Sequence, residues 1–362
     1  MTVAALPDHG QRIDAPALSV RNLVVEIPTR RGILKPVDGV SFDIAPGEIL
    51  GLVGESGAGK SMTGSAVIGL IERPGRISGG EIWLGDSELT GLTRARMRDV
   101  RGQQIGMIFQ DPMASLNPLK RVGDMLVETI QLHLGLSNEN ARARALQLLN
   151  DVGIPAAENR MDGYPHEFSG GMRQRVVIAL ALAGEPELII ADEPTTALDV
   201  SVQAQIMALL KRLCRERGVS ILLITHDMGV IAEAANRIAV LYAGRLVEIG
   251  GVRETFEAPL HPYTRGLMQS TPSAVASGGE LRQIPGAMPG LAAIPTGCAF
   301  HPRCPKRLPI CDARRPNLAG ISKNESAGGP EAWPGRPTST DTGPLMDRAV
   351  ACWLHAGDEK EV

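Results

Sequence analysis

The chain has 362 residues, a net charge of −3 and 43% hydrophobic residues, enough for one large α/β domain with an appendage. Its slightly acidic balance and its aromatic content of 3% argue against a nucleic-acid footprint, which is usually basic and supplied with stacking rings.

Residues 1–16 are polar, contain Pro and read as a flexible leader, without the basic start and apolar core of a signal peptide. Leu18–Ile27 alternates as a strand does, and Val40–Ile44 reads as a second strand. Glu48–Val53 is short and apolar and runs into Gly54, and a helix follows from Lys60 to about Leu70. Gly80–Leu84 and Ile105–Phe109 are further strands. Val122–Leu136 and Asn138–Val152 carry apolar residues three and four apart, so the stretch of about 111–182 reads as a helical insertion. Strand Leu188–Ala191, helix Val200–Arg217, strand Ile221–Thr225, helix Asp227–Ala235 and strand Ile238–Tyr242 then alternate. That order predicts a parallel-rich sheet with helices on both faces. Residues 272–350 are rich in Pro, Gly and Ala, and Pro330–Pro344 has the composition of a disordered segment. No run of about 18 apolar residues occurs, so a cytosolic protein is expected, docked at any membrane by other chains.

Gly54, Glu55, Ser56, Gly57, Ala58, Gly59, Lys60 and Ser61 fit the phosphate-loop pattern, with Met62 in the helix that follows. Glycines let backbone N–H groups turn inward as an anion nest, and the helix N-terminus adds its positive end. Lys60 is the cation for the β and γ oxygens, and the Ser61 hydroxyl is a Mg²⁺ ligand. The apolar run Ile189-Ile-Ala ends at Asp192, suited to the Mg²⁺ shell, and at Glu193, suited to polarise an attacking water. His226 ends the next strand, where a ring could bridge the γ-phosphate and Glu193. Gln110 follows strand Ile105–Phe109, where its amide could reach Mg²⁺ or the water. In isolation each of these is unremarkable: a capping carboxylate pair, a surface His, a lone Gln.

Together these residues resemble the ATP-binding-cassette (ABC) ATPases over about residues 17–272. Gly54–Ser61 is similar to the family's phosphate loop and Gln110 to its Q-loop glutamine. Ser169, Gly170 and Gly171 look like its signature, Ile190–Glu193 its acidic strand, Ala197-Leu-Asp199 its D-loop and His226 its switch histidine. The resemblance implies a P-loop NTPase fold: a RecA-like core, an antiparallel β subdomain and a helical insertion. It also implies a head-to-tail pair of cassettes that hydrolyse MgATP, each ATP closed over by the other chain's Ser169–Gly171 turn. Phe168 and Met172 depart from the usual Leu and Gln around that turn. The aromatic that commonly meets adenine is not evident, and Ile33 or Leu34 stands in its stretch.

A finer resemblance lies in Phe109–Pro118, Tyr164–Met172, Ala191–Val200 and His261–Leu267, which look like the dipeptide/oligopeptide importer branch. That likeness implies a second ATPase subunit, two membrane permeases and an extracytoplasmic binding protein, with the chain peripheral on the cytoplasmic face of the inner membrane and no nucleic acid bound. Nickel chelates or glutathione are alternative solutes, and a soluble, non-transport ABC ATPase is the alternative class.

Cys298, Cys304, Cys311 and Cys352 cluster in the tail, 273–362, with spacings unlike a zinc ribbon. In a reducing compartment four such thiols suit zinc or an iron–sulfur cluster better than disulfides, and unligated cysteines remain a reading. The resemblance implies a four-iron–four-sulfur cluster at these four positions. Cys214 lies on the apolar side of helix Val200–Arg217 and reads as core.

Overall fold

The computed structural model describes residues 15–196, 198–270, 283–321 and 348–355. The leader, except for Ala15 and Pro16, and the stretch Pro330–Pro344 lie outside the described residues.

β1 (Leu18–Thr29) and β2 (Gly32–Ile44) form a long antiparallel hairpin, and β4 (Arg76–Leu84) pairs with the other edge of β1. β5 (Ser87–Glu88) completes a four-stranded antiparallel sheet in the order β2-β1-β4-β5. Leu18, Val20, Leu23 and Val25 of β1 are fully buried, so this sheet has one core face and one wet face. β2 starts eight residues before its expected beginning, because Gly32–Gly39 pairs with β1 although it alternates poorly.

The second sheet carries the chemistry. β3 (Ile49–Val53), β7 (Leu188–Asp192) and β8 (Ser220–Ile224) are buried along their whole length. With β6 (Ile105–Ile108) and β9 (Arg237–Tyr242) they form parallel pairs in the order β9-β3-β8-β7-β6. Their apolar residues alternate between two cores. Ile49 and Val53 join Ile189, Ala191, Ile221 and Leu223 on one face, whereas Leu50 and Leu52 join Leu188, Ile190, Leu222 and Ile224 on the other. A strand covered on both faces needs this continuous apolar run.

α1 (Lys60–Val67) follows β3. The insertion comprises α3 (Pro112–Ser115), α4 (Val122–Leu134), α5 (Asn138–Asp151), α6 (Ala157–Arg160) and α7 (Gly170–Leu182), the last leading back to β7. α8 (Val200–Arg217) has the expected bounds, and α9 (Met228–Ala234) lies within the expected Asp227–Ala235.

Two elements of the cassette carry little signal in the sequence. α2 (Arg94–Gln103) is largely charged and buries only Met97 and Val100, so its periodicity is faint; the Thr93 hydroxyl caps it. β10 (Arg245–Gly251) returns antiparallel to β9 through Ala243 and Gly244, whose φ angles of 47° and 81° are those of a tight primed turn.

Beyond Gly251 the chain is less bare than its composition indicates. α10 (Val252–Glu257) and α11 (Pro262–Gln269) follow directly. Much later, β12 (Ala349–Val350) pairs with β10, and β11 (Ala319–Gly320) pairs with β12. The tail therefore extends the same sheet as the phosphate loop.

Candidate active site

Four neighbouring parallel strands, β3, β8, β7 and β6, end on the same side of the sheet. Loops at the carboxyl ends of such strands are where an open α/β sheet gathers a site. Gly54–Gly59 follows β3, Glu193 follows β7, His226 comes two residues after β8 and Gln110 two after β6. Residues far apart in sequence are thus brought to one place by sheet order.

Gly59 sits before the first turn of α1 at φ 105°, and a Cβ there would lie 2.3 Å from the Pro36 carbonyl oxygen. Only glycine fits that backbone. Lys60 is buried, and its Nζ donates to the carbonyls of Gly54 (2.8 Å) and Glu55 (3.1 Å), spanning the loop. Burial lowers its pKa, against the opposing pull of Glu193, Asp192 and Glu55. The Glu55 N–H donates to the Tyr263 hydroxyl at 2.9 Å, so that amide is held from behind the loop.

Ser61 Oγ donates to Asp192 Oδ1 at 3.0 Å, which puts the two expected Mg²⁺ ligands side by side. Burial raises the Asp192 pKa, while the bond from Ser61 and the charge of Lys60 oppose the rise. A hydroxyl and a carboxylate so placed are the oxygen donors that Mg²⁺ prefers, whereas the Gln110 amide is placed on Glu193. Bound there, the ion would neutralise charge on the phosphate oxygens.

Glu193 is the most constrained residue of the site. Its backbone adopts φ 48°, and its N–H donates to the Ile224 carbonyl at 2.8 Å. A left-handed non-glycine residue costs energy that surrounding structure must supply, and such residues concentrate at active sites. Three groups hold the carboxylate: Gln110 Nε2 (3.0 Å) and Thr196 Oγ1 (2.9 Å) donate to Oε2, and His226 Nδ1 lies 3.0 Å from Oε1. Burial alone would raise the Glu193 pKa. Hydrogen bonds from His226 and Thr196, with the charges of His226 and Lys60, outweigh it and leave the carboxyl below its ordinary range. Gln110, Glu193 and His226 are therefore joined in one network, as their order along the sheet implied. Thr196 was missed in the sequence; its only local signal is its place three residues after Glu193.

The Ser169–Gly171 turn is held differently. Ser169 Oγ caps α7 by accepting from the Met172 N–H at 3.3 Å. Phe168 is 2% exposed and packs in the core, so the departure from Leu keeps an apolar plug. Ser169 and Gly170 are exposed, and no hydrogen bond among the described residues links the turn to Gly54–Ser61 of the same chain. Gly171 lies against α8, where a Cβ would meet Val202 Cγ1 at 2.7 Å. Asp199 caps α8 by accepting from the Val202 N–H at 2.8 Å; Ala197 lies outside the described residues. Ile33 is 56% exposed.

The tail is where expectation and geometry part. Burial pushes the Cys298 thiol up to about 11 and the Cys352 thiol up to about 12; Cys304 and Cys311 add to both shifts, and Cys298 to that of Cys352. The four sulfurs thus feel one another. Yet among the described residues no group of three or more His, Cys, Asp or Glu side chains could hold a metal ion. The cluster that the resemblance implies at Cys298, Cys304, Cys311 and Cys352 therefore finds no support among the described residues. No chemistry is assigned to a cluster. Cys214 is buried, as expected, and its thiol donates to the Gly47 carbonyl at 2.9 Å.

The chain is similar to known proteins over most of its length. Residues 37–196 match the family described as "ABC transporter", and residues 247–311 match "Oligopeptide/dipeptide transporter, C-terminal region". The dipeptide transport ATP-binding protein DppD of Bacillus subtilis (strain 168) is 45% identical over 93% of this chain and 94% of its own length. The oligopeptide transport ATP-binding protein OppD of Salmonella typhimurium (strain LT2) is 48% identical over 83% of this chain and 89% of its own. Among solved structures, the ATP-binding cassette MJ0796, in a dimeric post-hydrolysis state bound to ADP and Pi, superposes with a TM-score of 0.59 at 29% identity. It covers 65% of this chain and 99% of the cassette. With likeness over nearly its whole length, and with the fold and strand-end site of an ATP-hydrolysing cassette, the chain belongs to the family of ABC ATP-binding subunits of dipeptide and oligopeptide transporters.

Proposed function

We propose that the chain is the ATPase subunit of an importer that moves dipeptides or oligopeptides across the cytoplasmic membrane. The observation that carries the catalytic part is the Glu193 carboxylate, held by Gln110, Thr196 and His226 at the ends of three neighbouring strands. A carboxylate kept ionised and aimed by three partners can accept a hydrogen bond from a water and orient it toward the γ-phosphate. Lys60 and the backbone of Gly54–Ser61 bind the phosphates, Ser61 and Asp192 hold Mg²⁺ with Gln110, and His226 fixes the carboxylate.

Ser169, Gly170 and Gly171 cap the ATP of a second ATPase subunit. The exposure of Ser169 and Gly170, and the turn's freedom from its own phosphate loop, support that role. Hydrolysis removes the bridging γ-phosphate and lets the pair reopen. Solute specificity and the path through the membrane fall to two permeases and a binding protein, since no helix among the described residues is long and apolar enough to cross a membrane. The names of the relatives, dipeptide and oligopeptide transport proteins, support the solute class and a peripheral place on the cytoplasmic face.

The test is Mg²⁺-dependent ATPase activity of the purified chain, with Glu193→Gln beside it. Turnover should fall while ATP binding persists; turnover at the wild-type rate in Glu193→Gln removes the general base from this reading. Peptide uptake in cells lacking the gene, restored by the wild type and not by the variant, tests the transport role.

A further inference from the structure

The phosphate loop contains a carboxylate, Glu55, directly after Gly54. A fixed negative charge beside a triphosphate opposes binding unless something neutralises it. The tail supplies that charge from 248 positions away: Arg303 Nη1 donates to Glu55 Oε1 at 3.0 Å and to Oε2 at 3.1 Å. The Arg303 side chain is only 6% exposed. Every side of it is used. Nε donates to the Pro285 carbonyl at 2.8 Å, Nη2 to the Gly286 carbonyl at 3.2 Å, and Nη1 also reaches the Tyr242 hydroxyl at 3.4 Å. The guanidinium lies over the rings of Tyr242 (5.9 Å) and Phe300 (6.0 Å). A guanidinium locked in this way loses little further freedom on pairing with a carboxylate.

The backbone of Glu55 is held from the same direction, through the Tyr263 hydroxyl. Tyr263 lies in α11, whose cap is the buried His261. Met288 completes the approach, with its Cε 3.3 Å from where a Cβ on Gly57 would sit. The C-terminal extension thus reaches the phosphate loop at two positions, through Arg303 at Glu55 and Met288 at Gly57.

We propose that Arg303 is a positioning residue for nucleotide binding: it holds and cancels the Glu55 charge beside the phosphates, so the C-terminal extension is a working part of the nucleotide site. This rests on the reading of Gly54–Ser61 as the phosphate loop. An arginine that merely staples the tail would affect stability to the same degree whatever the charge at position 55.

The experiment measures MgATP binding by calorimetry on the full chain for wild type, Arg303→Gln, Glu55→Gln and the double variant, with thermal unfolding in parallel. Arg303→Gln should weaken MgATP on the order of tenfold, the scale of one like charge near the phosphates. It should raise the KM for ATP more than it lowers kcat. Glu55→Gln should bind at least as tightly as wild type. The double variant should return to within about threefold of wild type while its unfolding temperature stays as low as that of Arg303→Gln. That split between binding and stability is what stapling alone cannot produce. Wild-type affinity in Arg303→Gln, or a double variant as weak as Arg303→Gln, overturns the proposal. If Arg303→Gln does not fold, Glu55→Gln decides: weaker binding than wild type overturns it, and binding at least as tight supports it. Failure of the wild type itself to bind MgATP would instead remove the phosphate-loop reading.

Discussion

Gly170→Asp separates the two halves of the nucleotide sandwich. Gly170 is the first residue of α7 and is exposed; a Cβ there meets only Leu198 Cδ2, at an ordinary 3.7 Å. A carboxylate at a helix N-terminus is favoured by roughly 0.3–1 kcal/mol, so the variant should fold as well as wild type. Its effect falls on the partner's ATP. One negative charge about 5 Å from a phosphate, at an effective dielectric of about 20, costs about 3 kcal/mol, or roughly 200-fold in closure of the pair. Calorimetry should find MgATP affinity of the isolated chain within about threefold of wild type. ATP-dependent dimerisation by sedimentation, in a Glu193→Gln background, should disappear, and ATPase activity with it. Loss of nucleotide affinity in the isolated chain would mean that the turn serves its own loop and would refute the reasoning. Gly171→Asp is the contrasting control: its Cβ would press on Val202 at 2.7 Å, so it should lower stability as well.

Glu193→Gln should lower kcat about 10²- to 10⁴-fold with little change in ATP affinity, as measured by steady-state turnover and calorimetry. Gly59→Ala should lose MgATP binding by more than about tenfold, because alanine at φ 105° is strained by about 1–2 kcal/mol and its methyl meets the Pro36 carbonyl. Circular dichroism should still report a folded chain; normal ATP binding in that variant would show that the loop tolerates a side chain. Acid should destabilise the protein through His261. Burial and then the neighbouring His355 hold its pKa at about 3, and its Nδ1 accepts the Tyr263 N–H at 3.1 Å, which requires the neutral ring. Because the folded value lies below the ordinary 6.5, the unfolded chain binds the extra proton, and stability falls as pH drops below about 6.5. At about 1.4 kcal/mol per pH unit, urea unfolding at pH 5 should show about 2 kcal/mol lost relative to pH 7. His261→Asn keeps a capping side chain and should lose less; an equal loss in both proteins removes His261 as the cause.

Local patterns along the chain specify its chemistry and most of its frame. Gly54–Ser61 needs a strand before it and a helix after it, and Ile49–Val53 and Lys60–Val67 supply both. The runs that became β3, β7 and β8 were legible because strands buried on two faces must be apolar at every position. α2 was not legible, since a helix that buries only Met97 and Val100 carries almost no periodic signal. Asp192, Glu193, Gln110 and His226 could be named as candidates, but their meeting depends on strand order, which periodicity does not encode. Only the tertiary structure placed β6, β7, β8 and β3 side by side and turned these residues, with Thr196, onto one carboxylate. The cysteine spacing marks the tail, whereas folding decided a different matter there: burial pushes the Cys298 and Cys352 thiols up, and Arg303 reaches back to Glu55, beside Tyr263 of α11. Side chains 208 and 248 positions from Glu55 become its neighbours because the tail packs on the sheet that carries the loop, and no local pattern records that contact.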